Sequence, residues 1–385
     1  MVVTGTICPL LKLALQIFGI WPDVSFTFVS QLIYLLTTLI LQYFQYQYIY
    51  MIFKRGELYG LADSLPGTVY YSLTSFKVFT LWMHHRLIRE LLTTMDIDWR
   101  ECMKVDQHLL VMKTNASFSK FCTHFLIYFN TIAGSLYFGG DNLIAIVQIL
   151  RGYNVTSRPF PTKLLLPFDA EQSSVYNWIV LVLYLHSMSV VYLDNFLTAF
   201  IISLVSHASG QIEIICQELK ASSEEIQSNG SLAYTTRMLI QNHNKVISFS
   251  KNIDRLFSYI ALMLVFGDTI IICFLGLVVM TSHSIHIITL LKIFFAYFGV
   301  TIEVFVYCFV GEHLGHKSKL LGDAGYDSLW YNKSSSHKKN ILFIIMRSQK
   351  QLNITAGNMV DLSLETFTSI IKASASYMSV LNAKY

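Results

Sequence analysis

Two histidine pairs, His283/His286 and His313/His316, carry a spacing of three residues, which sets two imidazoles on one helix face. Glu312 adjoins the second pair. Such a pair supplies at most part of a metal site, because further ligands must be fixed around it in three dimensions. No HExxH sequence, Walker loop or GxSxG elbow accompanies them. No catalytic residue, metal or cofactor is therefore assigned, and the chain is expected to be a non-enzyme. The six cysteines, Cys8, Cys102, Cys122, Cys216, Cys273 and Cys308, show no CxxC spacing and suggest no disulfide framework.

The remaining chemistry-bearing residues are charges set among apolar ones: Asp141, Asp194, Asp268, Lys292 and Glu303. In a membrane, burying such groups costs several kcal/mol unless they are partnered. They serve as glue between helices, as pocket groups or as pore groups. The elements around them must then be membrane helices, and composition agrees. Of 385 residues 54% are hydrophobic, and 14% are charged against roughly 25% in soluble domains. The net charge of +4 is scattered between apolar segments and forms no basic face for nucleic acid.

A hydrocarbon core of about 30 Å needs roughly 20 mainly apolar residues per helix. Segments 24–53, 121–150, 178–205, 256–282 and 285–311 meet that criterion. Two weaker segments, 65–83 with Lys77 and 362–381 with Glu365 and Lys372, suit a helix packed inside a bundle. The expected fold is an all-α membrane protein with seven transmembrane helices. With the N-terminus in the cytosol, 19 Lys and Arg fall inside and 6 outside. The positive-inside rule then puts the C-terminus outside. Residues 1–23 form a cytosolic N-terminal segment, 24–311 the first six helices with an outer ligand pocket, 312–361 a cytosolic linker, and 362–385 the last helix with a short extracellular end. Of the sequons at Asn115, Asn154, Asn229, Asn332 and Asn353, this orientation exposes only Asn154 to glycosylation.

The C-terminal third carries Gly311-Glu312-His313-Leu314, Ala324-Gly325-Tyr326, Trp330-Tyr331, Arg347-Ser348-Gln349-Lys350 and Thr355-Ala356-Gly357. It ends in Ser363-Leu364-Glu365-Thr366-Phe367, Lys372-Ala373-Ser374 and Ser376-Tyr377. These motifs resemble the insect odorant receptor family. Weaker echoes upstream, in Pro167-Phe168-Asp169, His207, Gly210-Gln211 and His243-Asn244-Lys245, extend the resemblance over most of the chain. Gustatory receptors end in a different pattern, and coreceptors carry a longer insertion between spans four and five, so the chain resembles an odour-specific tuning subunit. The motifs of G-protein-coupled receptors, Asp-Arg-Tyr among them, are missing.

The resemblance implies a tetrameric, ligand-gated, non-selective cation channel of the plasma membrane, in the ciliary dendrite of olfactory neurons. It implies an odorant coreceptor and a small volatile ligand as partners, beside membrane lipid. It also implies that the last helix lines the pore. Spacing alone sets Thr366, Ser369, Lys372, Ser376 and Ser379 on one arc, opposite Phe367, Ile370, Ile371, Met378 and Leu381. That arc suits either a wet pore wall or a dry interface of small residues. Val380 lies near its outer end, where the resemblance implies a gate that shuts by dewetting.

For the ligand, Thr131, Gly134 and Phe138 share a face of span three, with Tyr70 and Tyr71 on span two and Tyr184 and Met188 on span four. An apolar pocket needs such aromatic walls and few polar groups; singly each of these residues suits helix packing better, and it is as a region that they suit a pocket. A metabotropic seven-helix receptor, a gustatory-type channel and a transporter are the other readings. A transporter is expected to show internal repeats or paired broken helices, and the sequence shows neither.

Overall fold

The computed structural model describes residues 5–22, 27–152, 159–168, 175–224, 229–281, 287–328, 330–332 and 335–384. His283, His286 and Asn154 lie outside these residues. Ten α-helices and one two-stranded hairpin occur among them. In chain order they are α1 Pro9–Ile17, α2 Thr27–Arg55, α3 Leu58–Met83, α4 His85–Cys102, α5 Asp106–Leu150, α6 Tyr176–Glu224, α7 Asn229–Thr281, α8 Ile287–Asp327, α9 Ser335–Ser348, β1 Thr355–Ala356, β2 Val360–Asp361 and α10 Leu364–Lys384.

Five helices, α2 and α5 to α8, are long and apolar enough to cross a membrane. The two weaker segments are helices as well: α3 runs for 26 residues with Pro66 inside it, and α10 for 21. The apolar stretches predict helices of bilayer length, but α5, α6, α7 and α8 run for 45, 49, 53 and 41 residues. At 1.5 Å per residue these rods measure roughly 60–80 Å, about twice a bilayer core. Segments 84–120, 206–255 and 312–361, too polar to count as spans, are therefore largely helical. Each extension buries one stripe: on α5 it is Met112, Ala116 and Ser119.

Within the membrane-length part of each helix, burial sorts the bundle. α6 is central, with 89% of its most apolar window buried, against 22% for α2. α2 instead exposes Phe28, Ile33, Leu39, Tyr43, Tyr50 and Phe53, as a helix facing lipid requires. α5 and α8 flank α6, and α3 and α10 both pack on α7. The N-terminal segment joins the core too. Pro9 opens α1, Cys8 caps it by accepting from Leu11 N at 3.4 Å, and Leu11 and Leu15 are buried against the rest.

The hairpin fastens α10 to α7. Gly357 and Asn358 both adopt positive φ, 62° and 57°, as the two central residues of a tight primed turn. Thr355 N and Oγ1 donate to Asp254 Oδ1 at 2.7 and 2.9 Å, and Asn358 N donates to Ser258 Oγ at 3.0 Å. Gly311 of α8 lies so close to Leu362, just before α10, that a Cβ there would sit 2.8 Å from the Leu362 Cβ. The Thr355-Ala356-Gly357 and Gly311 motifs thus meet at the base of the last helix.

Candidate functional site

A cavity of about 80 Å³ opens between α3, α5, α6, α7 and α8, several times the roughly 10–15 Å³ that one water needs. Pro66, a residue without a backbone N–H inside the continuous helix α3, borders the cavity. The walls are mostly apolar: Tyr70, Leu126, Ala133, Tyr137, Phe138, Val191, Ile271 and Val300. Asn130, Asp194, Asn195, Thr198 and Glu303 add the polar part.

Among the residues expected at a pocket, Tyr70, Gly134 and Phe138 border this cavity. Met188 fills the notch at Gly134, its sulfur 3.3 Å from where a Cβ would stand. Tyr71 is buried one layer back, donating to Ser187 Oγ at 2.8 Å and meeting Phe138 edge-on at 6.4 Å. Tyr184 packs against Gly139 and donates to Ser135 at 3.2 Å. Thr131 donates to the Ile127 carbonyl at 2.6 Å and does not border the cavity.

Beneath the cavity lies an ion-pair cluster. Lys77 Nζ of α3 donates to Asp194 Oδ1 of α6 at 2.7 Å and also binds Glu303 Oε1 of α8. All three side chains are buried. Asp268 of α7 lies within electrostatic range of Lys77 and Asp194, buried, with neither carboxylate oxygen hydrogen-bonded. The Lys77 ion pairs therefore join α3, α6 and α8 through partners more than a hundred residues apart, with Asp268 of α7 beside them. Asn130 Nδ2 donates to Asn195 Oδ1 at 2.5 Å, bridging α5 and α6, and Gly299 of α8 leaves space for that Asn130. Asp194 and Glu303 are visible in the sequence as charges in apolar surroundings. Asn130, Asn195 and Gly299 give no such signal.

A second, smaller and more polar cavity adjoins the first and shares Gly67, Tyr137 and Phe138 with it. Two ion pairs border it, Lys163–Asp63 at 3.1 Å and Lys292–Asp141 at 2.8 Å. Lys292 also sits 5.4 Å over the Tyr137 ring, a cation–π distance. This polar space lies on the side of the cavity away from α9 and the hairpin.

On α10 the two arcs separate cleanly. Phe367 meets Phe305 of α8 edge-on at 5.5 Å, Ile370 is buried, and Met378 rests on Gly276 of α7. Ser369, Lys372, Ser376, Ser379 and Val380 are exposed, Val380 at 64%. Thr366 is half-buried, its hydroxyl donating to the Asp361 carbonyl at 2.8 Å and its N to Ser363 Oγ at 3.1 Å, a cap on the helix start. The polar arc thus faces away from the helix's own bundle. His313 stacks on Phe309 at 5.8 Å. Among the described residues no group of three or more His, Cys, Asp or Glu is placed to hold a metal, and all six cysteines are free.

Known proteins share this architecture. The insect olfactory receptor OR5 from Machilis hrabei, solved in complex with eugenol, aligns with a TM-score of 0.82 over 97% of both chains at 13% identity. Odorant receptor 13a of Drosophila melanogaster is 25% identical over 265 residues, covering 63% of this chain and 62% of the relative. Odorant receptor 67c of the same organism is 26% identical over 239 residues, covering 61% and 57%. The chain thus spans about three fifths of the length of these two curated relatives. The family model described as 7tm Odorant receptor matches residues 57–375, and the chain belongs to that odorant receptor family.

Proposed function

We propose that this odorant receptor is a tuning subunit of a ligand-gated, non-selective cation channel, opened by a small volatile and assembled as a tetramer with an odorant coreceptor. In this reading the chain crosses the plasma membrane of the olfactory dendrite seven times, with α3 and α10 completing the five strongly apolar helices. The N-terminus is cytosolic and the C-terminus extracellular, and Asn154 is the glycosylation site. Residues 24–311 hold the ligand, 312–361 anchor the subunit, and 362–385 form the pore wall.

The observation that carries the reading is the outward polar arc of α10. A helix whose exposed face bears Ser369, Lys372, Ser376 and Ser379 is poorly suited to lipid and well suited to a shared water path. Val380 at its end supplies an apolar ring when four copies or relatives meet. Lys372 has no acidic partner within salt-bridge distance among the described residues, so four copies would line the path with four positive charges. Mixed assembly with a coreceptor lessens that repulsion. A volatile entering the cavity acts by binding the open arrangement more tightly than the closed one.

The test is whole-cell recording with and without a coreceptor. Odour-evoked current is expected only with it, and Val380→Ala is expected to raise resting conductance. A response that requires a G protein and carries no channel current would point to the metabotropic reading. So would labelling of an N-terminal tag on intact cells.

A further inference from the structure

The two adjoining cavities differ in charge balance. In the smaller one each lysine has one carboxylate: Lys163 with Asp63, Lys292 with Asp141. Beneath the larger one, Lys77 serves both Asp194 and Glu303, and Asp268 stands within range with both oxygens unbonded. The carboxylate oxygens of this floor therefore outnumber the hydrogen bonds they receive. Lys77 and Thr74 donate to Asp194, which also lies within hydrogen-bond reach of the Tyr70 hydroxyl, and Lys77 supplies the one donor to Glu303.

Two of these carboxylates, Asp194 and Glu303, border the cavity itself. So does Thr198, 2% exposed, whose hydroxyl has no hydrogen-bond partner. Each of the two amides on the wall spends one N–H on a protein acceptor. Asn130 donates to Asn195, and Asn195 to the Val191 carbonyl at 2.7 Å. Acceptors buried without donors are costly, more so when charged. A ligand that brings a donor relieves that cost at the carboxylates, whereas one that brings only a carbonyl leaves them unmet and is left to hydroxyls of the wall such as Thr198.

We infer that the cavity selects ligands whose polar end donates hydrogen bonds, an amine or an alcohol on a small apolar body, with Asp194 and Glu303 as the acceptors. The inference rests on the receptor reading for its biological setting but makes a claim about binding that stands apart from channel opening. An ammonium end is the strongest case, because its hydrogen bonds to carboxylates are charge-assisted.

The experiment uses a skeleton-matched series, benzylamine, benzyl alcohol, benzaldehyde and toluene, applied to cells expressing the full chain with a coreceptor. The two donors are expected to act at concentrations at least tenfold lower than benzaldehyde and toluene. In surface-expressed Glu303→Gln and Asp194→Asn receptors, whose amides can themselves donate, that lead is expected to shrink below about threefold and benzaldehyde to gain. Benzaldehyde or toluene matching the donors in the unmodified receptor overturns the inference and leaves the receptor reading intact. If the whole series evokes no current, thermal stabilisation of the purified chain in nanodiscs by the same four compounds decides. The tenfold ordering there upholds the inference while counting against the channel reading, and its absence overturns the inference.

Discussion

Around α4, α9 and the hairpin, one continuous apolar cluster runs from Leu11 and Leu91 through Ile215 and Leu256 to Ile344 and Leu362. Around the cavity the apolar packing breaks into smaller groups, one near Leu275 and Val300 and one of Tyr71, Phe138, Val190 and Val191. Tyr70 and Tyr137 bridge those two groups, and ion pairs and hydrogen bonds cross between the helices beside them. A continuous close-packed core resists any change of volume within it. A fragmented wall held by a few directional bonds can exchange partners when something enters. The same four long helices thus serve as a rigid anchor at one end and an adaptable binding wall at the other.

Lys77 is the sharpest point at which to break that contrast. Lys77→Met leaves Asp194 and Glu303 buried without their cation, and stability is expected to fall by about 3–5 kcal/mol, read as lost surface expression and a lower melting temperature. Adding Glu303→Gln and Asp194→Asn to Lys77→Met should restore much of that loss. If Lys77→Met alone melts like the unmodified receptor, the cluster does not hold the cavity wall together.

The anchor half should show its own dependence on pH. α7 is too long to lie wholly in a bilayer, and His243 sits on the part beyond span 256–282, packed beside Arg347. Burial, then the Arg347 charge, pushes its imidazole down from 6.5 to about 4. The unfolded chain binds a proton there between those values and the folded chain does not. Stability contributed by neutral His243 is therefore full above pH 6.5 and is lost as pH falls toward 4, on the order of 3 kcal/mol in all. Melting curves of His243→Gln should be flatter across that window.

Two glycine substitutions compare the halves directly. Gly311→Ala forces a Cβ against Leu362 at the base of α10 and is expected to cost about 1–3 kcal/mol, measured by melting. Gly134→Ala places its Cβ 3.3–3.4 Å from Met188 and Val191, side chains that can shift. Its stability cost is expected to stay below about 1 kcal/mol, while ligand concentrations for half-activation change severalfold. Equal melting losses in both variants would erase the distinction between the halves.

Much of this contrast could be read from the sequence at the level of faces and not of contacts. The arc on α10 is legible because helical period alone sets Ser369 opposite Phe367, whatever surrounds them. Gly134 and Phe138 border the cavity as their shared face suggests, whereas Thr131, on that face too, turns its hydroxyl to its own backbone. The cost of burial marks Lys77, Asp194, Asp268 and Glu303 individually. Their meeting depends on how α3, α6, α7 and α8 pack, which no local pattern encodes. The long extensions of α5 to α8 escape a hydropathy reading because Lys, Glu and Asp on their solvent faces dilute the apolar stripe. The helix that begins at Pro9 is equally hidden, being only nine residues long and too short to span.

The unbroken course of α6, α7 and α8 through both halves has a mechanical consequence. A rod of roughly 75 Å that tilts by about one degree moves its far tip by about 1.3 Å, with no bond rotated along its length. Small displacements at the cavity wall are thereby magnified at the opposite end, where the hairpin at Gly357 and Asn358 ties α7 to the foot of α10. Leverage of this kind lets a molecule far smaller than the protein act at a distance, provided the rods stay stiff.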